Sequence, residues 1–203
     1  MTDYSRRTFV SATTCTSTVF AYAAFAGLLA SPALAATTTN FAPTLQVNGL
    51  TLQLNGAGTR YKAIFKVYDM AMYTQRKVST PAEALVLNGP VRLGFVTLRE
   101  ISGTELGRLF LRGMSDNSPR EAVNRHTVAS GRLIDIFSGR PRLLPGDSFA
   151  MEFVPGKGTS FFIGQEVQGN PVGDAEFFRM VLSIWLGQAP ADFLLKDALL
   201  GLK

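Results

Sequence analysis

Cysteine and histidine are almost absent from this sequence, which contains one of each among 203 residues. The cysteine, Cys15, lies near the amino terminus, so the rest of the chain can form no disulfide bond and offers no thiol chemistry. With His126 as the single imidazole, a transition-metal site built from nitrogen and sulfur ligands is not expected. The sequence also lacks the Gly-x-Ser-x-Gly motif of many serine hydrolases. We therefore expect no metal and no cofactor.

Long blocks of like charge are absent as well. The net charge is +5, but the lysine and arginine residues are scattered along the chain. Nucleic-acid-binding proteins usually concentrate positive charge in a patch or a stripe. The sequence therefore gives no sign of a nucleic-acid partner, and we expect none.

The amino-terminal segment contains the three parts of an export signal in the required order. A twin-arginine sequence occupies residues 5–10, a short apolar run follows at residues 19–30, and Ala33–Ala35 supplies small residues for cleavage. The apolar run is shorter than the roughly 20 residues needed to cross a bilayer. We predict that residues 1–35 are a twin-arginine signal peptide cleaved after Ala35. The protein would then be periplasmic and have no stable membrane anchor.

The remaining chain reads as a short leader and one domain. Residues 36–44 are rich in threonine, alanine and proline, and are predicted to form a flexible leader. The domain, residues 45–203, begins with strand patterns. Residues 50–54 alternate between apolar and polar side chains, and residues 64–73 and 91–98 are rich in β-branched and aromatic side chains.

Helical patterns occupy the middle and the end of the domain. Capping-box sequences begin at Ser102 and Ser118, and each precedes an apolar stripe at helical spacing. A predicted hairpin over residues 149–163 separates them from an apolar helix at residues 177–186 and a short last helix. This order of elements indicates an α+β fold, in which a large antiparallel sheet is packed by helices on one face.

One arginine stands out because of its surroundings. Arg60 follows Gly56-Ala57-Gly58, which we predict to form a turn between two apolar strands. A guanidinium removed from water needs a partner, because burying an isolated charge is costly. Two interpretations are open: Arg60 reaches water from the rim of the sheet along its apolar stem, or it binds an anion inside an apolar cleft.

Five motifs follow one another along the domain in a specific order. They are Gly56-Ala57-Gly58-Thr59-Arg60, Lys66-Val67-Tyr68 with Tyr73, Arg99-Glu100-Ile101-Ser102-Gly103, Pro145-Gly146-Asp147 and Trp185-Leu186-Gly187. Together they resemble the chalcone isomerase-like superfamily, and in particular its bacterial periplasmic branch, over residues 50–201. The resemblance implies an open-faced β-sandwich, with a ligand cleft between the large sheet and the helices.

The resemblance also bears on activity. The arginine of the enzymes in this superfamily corresponds to Arg60, whereas their catalytic threonine is replaced by Tyr68. Positions that carry further hydroxyl and amide groups in those enzymes hold Leu106, Gly113 and Ile184 here. Without these donors, the isomerase reaction loses the stabilisation of its developing negative charge. The resemblance therefore implies a non-catalytic protein that binds a small apolar carboxylate such as a fatty acid.

In the fatty-acid-binding relatives an arginine and a tyrosine hold the carboxylate, so the resemblance assigns this role to Arg60 and Tyr68. The residues proposed to contact the acyl tail are Phe65, Leu109 and Trp185, with Met70, Met72, Phe110 and Val181 as further candidates. On one straight strand Arg60 and Tyr68 would lie about 26 Å apart. They can share a ligand only if the chain folds back between Tyr61 and Phe65.

Two other functions stay open. The protein could be an intramolecular lyase or isomerase of chalcone isomerase type, acting on another substrate with Arg60 as the electrophilic group. Alternatively, it could be an accessory protein whose cleft is filled by its own side chains. Ordinary core packing is the competing interpretation for each apolar tail-contact candidate.

Overall fold

The structure is a computed structural model and describes residues 37–202. The predicted signal peptide, residues 1–35, lies outside the described residues, and its role in export stays a prediction. Within the described part of the chain, no helix is both long enough and apolar enough to cross a membrane.

Seven antiparallel strands form the main sheet, in the spatial order β1-β2-β3-β4-β7-β8-β9. They are β1 (Thr44–Val47), β2 (Leu50–Lys62), β3 (Phe65–Thr74), β4 (Val91–Thr97), β7 (Ser148–Val154), β8 (Gly158–Ile163) and β9 (Glu166–Val167). Two short strands, β5 (Ile101–Ser102) and β6 (Arg142–Leu143), pair with each other outside this sheet. The predicted strands at residues 50–54, 64–73 and 91–98 and the predicted hairpin at 149–163 are confirmed.

Helices pack against one face of the main sheet. They are α1 (Pro81–Leu85), α2 (Gly103–Asp116), α3 (Arg120–Arg125), α4 (Thr127–Ser138), α5 (Ala175–Leu186) and α6 (Phe193–Leu199). The largest core lies between these helices and the sheet, where Trp185 of α5 packs among the strand side chains Tyr68 and Phe95. The predicted α+β fold with helices on one face is therefore confirmed.

Two helical predictions need correction in detail. The helix predicted to follow Ser118 is divided at His126 into α3 and α4. The residue before α3 is Pro119, which has no side chain that could cap it, so the capping box predicted at Ser118 does not form. The cap predicted at Ser102 is present, because Ser102 Oγ accepts a hydrogen bond of 3.4 Å from the Glu105 N–H.

The glycine turn predicted at Gly56-Ala57-Gly58 is wrong, because β2 runs through it without reversing. A bulge next to Asn55 shifts the register with β3, and the glycines then continue the strand. A Cβ atom on Gly56 would lie 2.1 Å from the carbonyl oxygen of Ala198 in α6. Glycine is thus required here by the close approach of a helix end to the strand, and not by a turn.

The chain reverses a few residues later, at a tight turn after Lys62. Ala63 and Ile64 form the loop, and Ala63 adopts a left-handed conformation with φ of 54°. No glycine or asparagine marks this turn, although such residues favour the turns of short hairpins. The reversal makes β3 the direct neighbour of β2, which is the condition for bringing Arg60 and Tyr68 together.

The described part of the predicted leader is held against the other face of the sheet. Thr38 and Thr39 donate hydrogen bonds of 2.8 and 2.7 Å to the carboxylate of Asp69, and the Tyr73 hydroxyl donates to the Ala42 carbonyl. Thr44, the last leader residue in the prediction, belongs to β1. The flexibility predicted for residues 36–44 concerns motion and stays a prediction, but their described contacts are specific.

Candidate functional site

The pairing of β2 with β3 places Arg60 directly opposite Tyr68. Opposed residues on neighbouring antiparallel strands project to the same face, with Cβ atoms about 5 Å apart. The guanidinium carbon of Arg60 lies 5.6 Å from the centre of the Tyr68 ring, within the range of a cation–π interaction. The turn after Lys62 therefore brings Arg60 and Tyr68 together in space, and both side chains face the helices.

Arg60 is half-buried and has no carboxylate partner. Its Nε atom is buried and makes no hydrogen bond, and no ion pair links it to any acidic side chain within residues 37–202. Besides burial, the nearby charge of Asp192 raises the pKa of Tyr68, but the Asp192 carboxylate already accepts hydrogen bonds from other groups. It accepts hydrogen bonds from the backbone N–H groups of Tyr61, Leu194 and Leu195, which caps α6.

Tyr68 is fully buried and is held by Trp185. The indole Nε1 donates a 2.8 Å hydrogen bond to the Tyr68 hydroxyl oxygen. Burial raises the pKa of the Tyr68 phenol above its ordinary value, against the lowering effects of Arg60 and of the Trp185 hydrogen bond. The phenol is therefore neutral near pH 7. Since its oxygen accepts from Trp185, its own proton can be donated to a further acceptor.

A cavity of about 210 Å³ begins at this pair and extends between the sheet and α2. Besides Arg60 and Tyr68, its walls comprise Leu106, Leu109, Phe110, Arg112, Gly113, Asp116, Ile184, Ala189, Pro190 and Ala191. Most of these groups are apolar. The further charged groups, Arg112 and Asp116, form an exposed ion pair of 3.5 Å with each other, so Arg60 is the one wall cation within the described residues that has no counter-ion.

The sequence-predicted site residues divide into those at the cavity and those elsewhere. Arg60, Tyr68, Leu109 and Phe110 line the cavity. Trp185 does not line the cavity; it is fully buried and donates a hydrogen bond to Tyr68.

The remaining apolar candidates do not line the cavity. Met70, Met72 and Val181 are completely buried in the main core, which agrees with the packing interpretation. The predicted contact of Phe65 with the acyl tail must be corrected, because Phe65 lies at the exposed tip of the β2–β3 hairpin. The sequence pattern places Phe65 inside a strand that faces the cleft, but the turn falls immediately before it, at Ala63 and Ile64.

Several residues of the site are missed by the sequence analysis. The segment Ala189–Ala191 forms part of the wall. Asp192 ties that segment to Tyr61 of β2. The signal for Asp192 is present in the sequence, because an aspartate at the start of a helix is a typical cap, but its contact with a distant strand is not encoded locally.

A second polar cluster, around His126, is separate from the cavity. His126 Nε2 lies 2.9 Å from a Glu176 carboxylate oxygen, and Arg125 forms two hydrogen bonds with the same carboxylate. The hydrogen bonds from Arg125 and His126 lower the pKa of Glu176 to about 2. His126 thus has a hydrogen-bond partner at the edge of the core. Across residues 37–202 no group of three or more histidine, cysteine, aspartate or glutamate side chains could hold a metal ion.

The sequence matches the family described as chalcone isomerase-like over residues 33–201. Among solved structures, the fold is similar to the crystal structure of a fatty-acid binding protein from Arabidopsis thaliana, with a TM-score of 0.61 and 12% sequence identity. The similarity covers 79% of this chain and 90% of that chain. It confirms the chalcone isomerase-like fold. No curated protein matches the sequence.

Proposed function

Because the chain belongs to the chalcone isomerase-like family, we propose that it is a non-catalytic binding protein for a small apolar carboxylate, such as a fatty acid, held by Arg60 and Tyr68. The observation that carries this proposal is the buried Nε atom of Arg60, which lacks a hydrogen-bond partner beside a cavity of about 210 Å³. A buried donor without an acceptor is costly. The side chain of Arg60 also lines the cavity, so we expect an anion that enters it to accept hydrogen bonds from the guanidinium.

The carboxylate is expected to sit between the guanidinium and the phenol. Arg60 can donate two parallel hydrogen bonds to the two carboxylate oxygens, an arrangement that a lysine could not offer. The Tyr68 hydroxyl donates a third, because its oxygen is oriented by Trp185. Asp192 does not compete for Arg60, since its oxygens are engaged by backbone N–H groups.

The tail of the ligand is expected to lie along the apolar wall formed by Leu106, Leu109, Phe110 and Ile184. A cavity of about 210 Å³ has room for about seven groups the size of a water molecule, at about 30 Å³ each. This is sufficient for a carboxylate and a short alkyl segment. A longer acyl chain would continue through the open side of the cavity, and each further CH₂ that is buried contributes about 0.8 kcal/mol.

The cavity wall supports binding over catalysis. Leu106, Gly113 and Ile184 occupy the positions where the related enzymes carry donor groups, and all three line the cavity. None of them can donate a side-chain hydrogen bond to a developing negative charge. The same open cavity speaks against an accessory protein whose cleft is filled by its own side chains. The finer points of the proposal, export and a periplasmic location, are supported by the signal-like sequence of residues 1–35.

Native mass spectrometry of the full chain, purified gently from its expressing cells, tests this proposal. The wild-type protein should carry an acidic lipid, and Arg60→Ala should lose it. Arg132→Ala is the matched control, because Arg132 is an exposed arginine of α4 that lies outside this cavity, and its occupancy should equal that of wild type. The same spectra report processing, since a mature chain would begin at Ala36.

Two results would reject the proposal. One is a lipid that remains bound in Arg60→Ala to the same extent as in wild type, which would place the ligand elsewhere. The other is a wild-type protein that stays empty when fatty acid is supplied in excess. Turnover of a chalcone above the background rate, abolished in Arg60→Ala, would instead favour the lyase or isomerase alternative.

A further inference from the structure

The tip of the β2–β3 hairpin presents large apolar side chains to solvent. Every residue from Lys62 to Lys66 is exposed. Ile64 is 84% exposed and Phe65 is 59% exposed. The tip also departs from the usual composition of tight hairpin turns, which favour asparagine and glycine. An isoleucine and a phenylalanine in these positions contribute little to the core, because most of each side chain is in contact with water.

A second pair of exposed apolar side chains lies at the same end of β2. Phe193 and Leu194 begin α6 and are 66% and 56% exposed. Asp192, the residue before them, is fixed to the hairpin because its carboxylate accepts a 2.8 Å hydrogen bond from the Tyr61 N–H. From there α6 runs along β2 towards Gly56, away from the tip. We call Ile64, Phe65, Phe193 and Leu194 the hairpin patch.

Positive charge surrounds the hairpin patch. Lys62 and Lys66 flank the apolar tip, and the Arg99 guanidinium carbon lies 5.7 Å from the centre of the Phe65 ring. None of these three cations forms an ion pair with another described residue.

The nearby carboxylates are engaged elsewhere. Glu100, next to Arg99 in sequence, pairs with Arg142 at 3.3 Å, and Asp192 caps α6. The patch therefore combines exposed apolar anchors with uncompensated cations. This combination suits the interface of a bilayer that contains anionic lipids, where apolar side chains enter the acyl boundary and lysines meet the headgroups.

We propose that the hairpin patch docks the protein on the surface of an anionic membrane. The hairpin patch lies next to the cavity, so docking would bring the cavity close to the membrane. Pro190 and Ala191 line the cavity, and Phe193 of the patch follows Ala191 by two residues. A docked protein would hold the cavity next to the lipid surface, so an acyl ligand could pass between them with little exposure to water. This last step rests on the proposed function, whereas docking itself does not.

Tryptophan fluorescence with brominated lipids tests the orientation directly. Phe65→Trp places a reporter in the tip, and Val128→Trp is the matched control, because Val128 is an apolar residue of α4 that is 87% exposed. Both variants are full chains with the same amino-terminal segment, so any general attraction of that segment to lipid affects both equally. The vesicles contain equal parts of phosphatidylcholine and phosphatidylglycerol, brominated on the acyl chains. We expect the emission of Phe65→Trp to be quenched more than that of wild type, and the emission of Val128→Trp to show no such increase.

Binding measurements on the same vesicles separate the apolar and the electrostatic contributions. The double variant Ile64→Ser and Phe65→Ser should reduce vesicle binding at least about tenfold, because two large side chains no longer enter the membrane. The double variant Lys62→Gln and Lys66→Gln should reduce it about fivefold per lysine. Lys157→Gln, at a turn on another hairpin, is the control for charge and should bind as wild type.

The proposal is overturned if both tryptophan reporters are quenched equally, or if the serine variant binds vesicles as wild type does. It is also overturned if binding to pure phosphatidylcholine vesicles is as strong as binding to vesicles that contain phosphatidylglycerol. A third contrary result is a dimer, detected by light scattering without lipid, that the serine variant loses, since the patch would then bind a second copy of the chain. Failure of the proposed function looks different. In that case Arg60→Ala still docks on vesicles, while the bound lipid in native mass spectra does not depend on Arg60.

Discussion

Arg60 and Asp69 are charged side chains that lie close together on the β2–β3 hairpin, but their surroundings differ. Thr59 and Arg60 of β2 face Asp69 and Tyr68 of β3, respectively. Asp69 is fully buried on one face of the sheet and is surrounded by donors. Arg60 projects to the other face, where its side chain lines a cavity and its buried Nε atom has no acceptor.

The Asp69 cluster is complete within the protein. Its carboxylate accepts hydrogen bonds from Thr59 Oγ1 at 2.5 Å, from Thr38 Oγ1 at 2.8 Å and from the Thr39 N–H at 2.7 Å. Burial alone would raise the pKa of Asp69, but these hydrogen bonds outweigh it and hold the pKa below its ordinary value. A charge that is fully satisfied in this way stabilises the fold. The Arg60 guanidinium, which has no counter-ion beside the cavity, is the group that we propose binds a ligand.

The largest effect that tests this contrast is expected at Asp69. In Asp69→Asn the side chain keeps its shape, but its NH₂ group must face at least one of the former donors. Replacing the charged hydrogen bonds of this buried group by neutral ones should lower the free energy of unfolding by about 2–3 kcal/mol. Urea denaturation measures this loss as a lower midpoint at an unchanged slope. The occupancy of the cavity ligand should stay as in wild type.

The pH dependence of stability checks the same assignment. Because the folded-state pKa of Asp69 is depressed, its contribution is present above the ordinary aspartate pKa and is lost as the pH falls through the folded value. Wild type should therefore lose stability in acid more steeply than Asp69→Asn. Equal acid sensitivity of the two proteins would mean that the Asp69 cluster does not stabilise the fold through its charge.

A smaller and mixed effect is expected for Tyr68→Phe, which alters both the fold and the site. Removal of the hydroxyl leaves the buried Trp185 Nε1 without its acceptor, which should cost about 1–3 kcal/mol of stability. It also removes one donor to the carboxylate, so affinity should fall roughly two- to tenfold. Titration calorimetry and urea denaturation on one preparation measure both. A stability loss without any loss of affinity would remove Tyr68 from the site.

The smallest effect on ligand binding is expected for a small substitution in the cavity wall. A Cβ atom at Gly113 would lie 2.9 Å from Ile184 Cγ2, too close for an ordinary contact, so the Ile184 side chain, which also lines the cavity, must shift. Gly113→Ala should weaken ligand binding about fourfold, as for the loss of one buried methylene group. Gly131→Ala in α4 is the control, since a Cβ atom there has nothing within 4 Å. If both variants bind ligand equally well, the tail does not pass Gly113.

Periodicity and capping patterns are sufficient to predict the fold class and most strands and helices, because these signals act within a few residues. Predictions fail where distant parts of the chain decide the local structure. The sequence pattern predicts a turn at Gly56, although the carbonyl groups of α6, more than a hundred residues later, are what require this glycine. The observed turn at Ala63 contains no residue typical of turns, so the sequence does not predict it. Because of this turn, Phe65 lies at the surface and not in the cleft.

The site is predictable to a similar extent. The apolar surroundings of Arg60 single it out but leave its role open, and the ligand-binding role proposed for Arg60 and Tyr68 comes from the family resemblance. The pairing of the two requires the register of a hairpin that composition does not reveal. The wall segment Ala189–Ala191 and the role of Asp192 depend on how α6 is placed against β2, and no local pattern specifies this.

If Arg60 binds the carboxylate of an acid, wild type should distinguish two ligands that differ only in this group. Titration calorimetry would measure octanoate and octanol, which share a chain length, against wild type and Arg60→Gln. A charged hydrogen bond contributes about 1.5–3 kcal/mol, so wild type should prefer octanoate roughly ten- to a hundredfold, and the preference should vanish in Arg60→Gln while octanol binding is unchanged. A preference for octanoate that persists in Arg60→Gln would show that Arg60 does not bind the carboxylate.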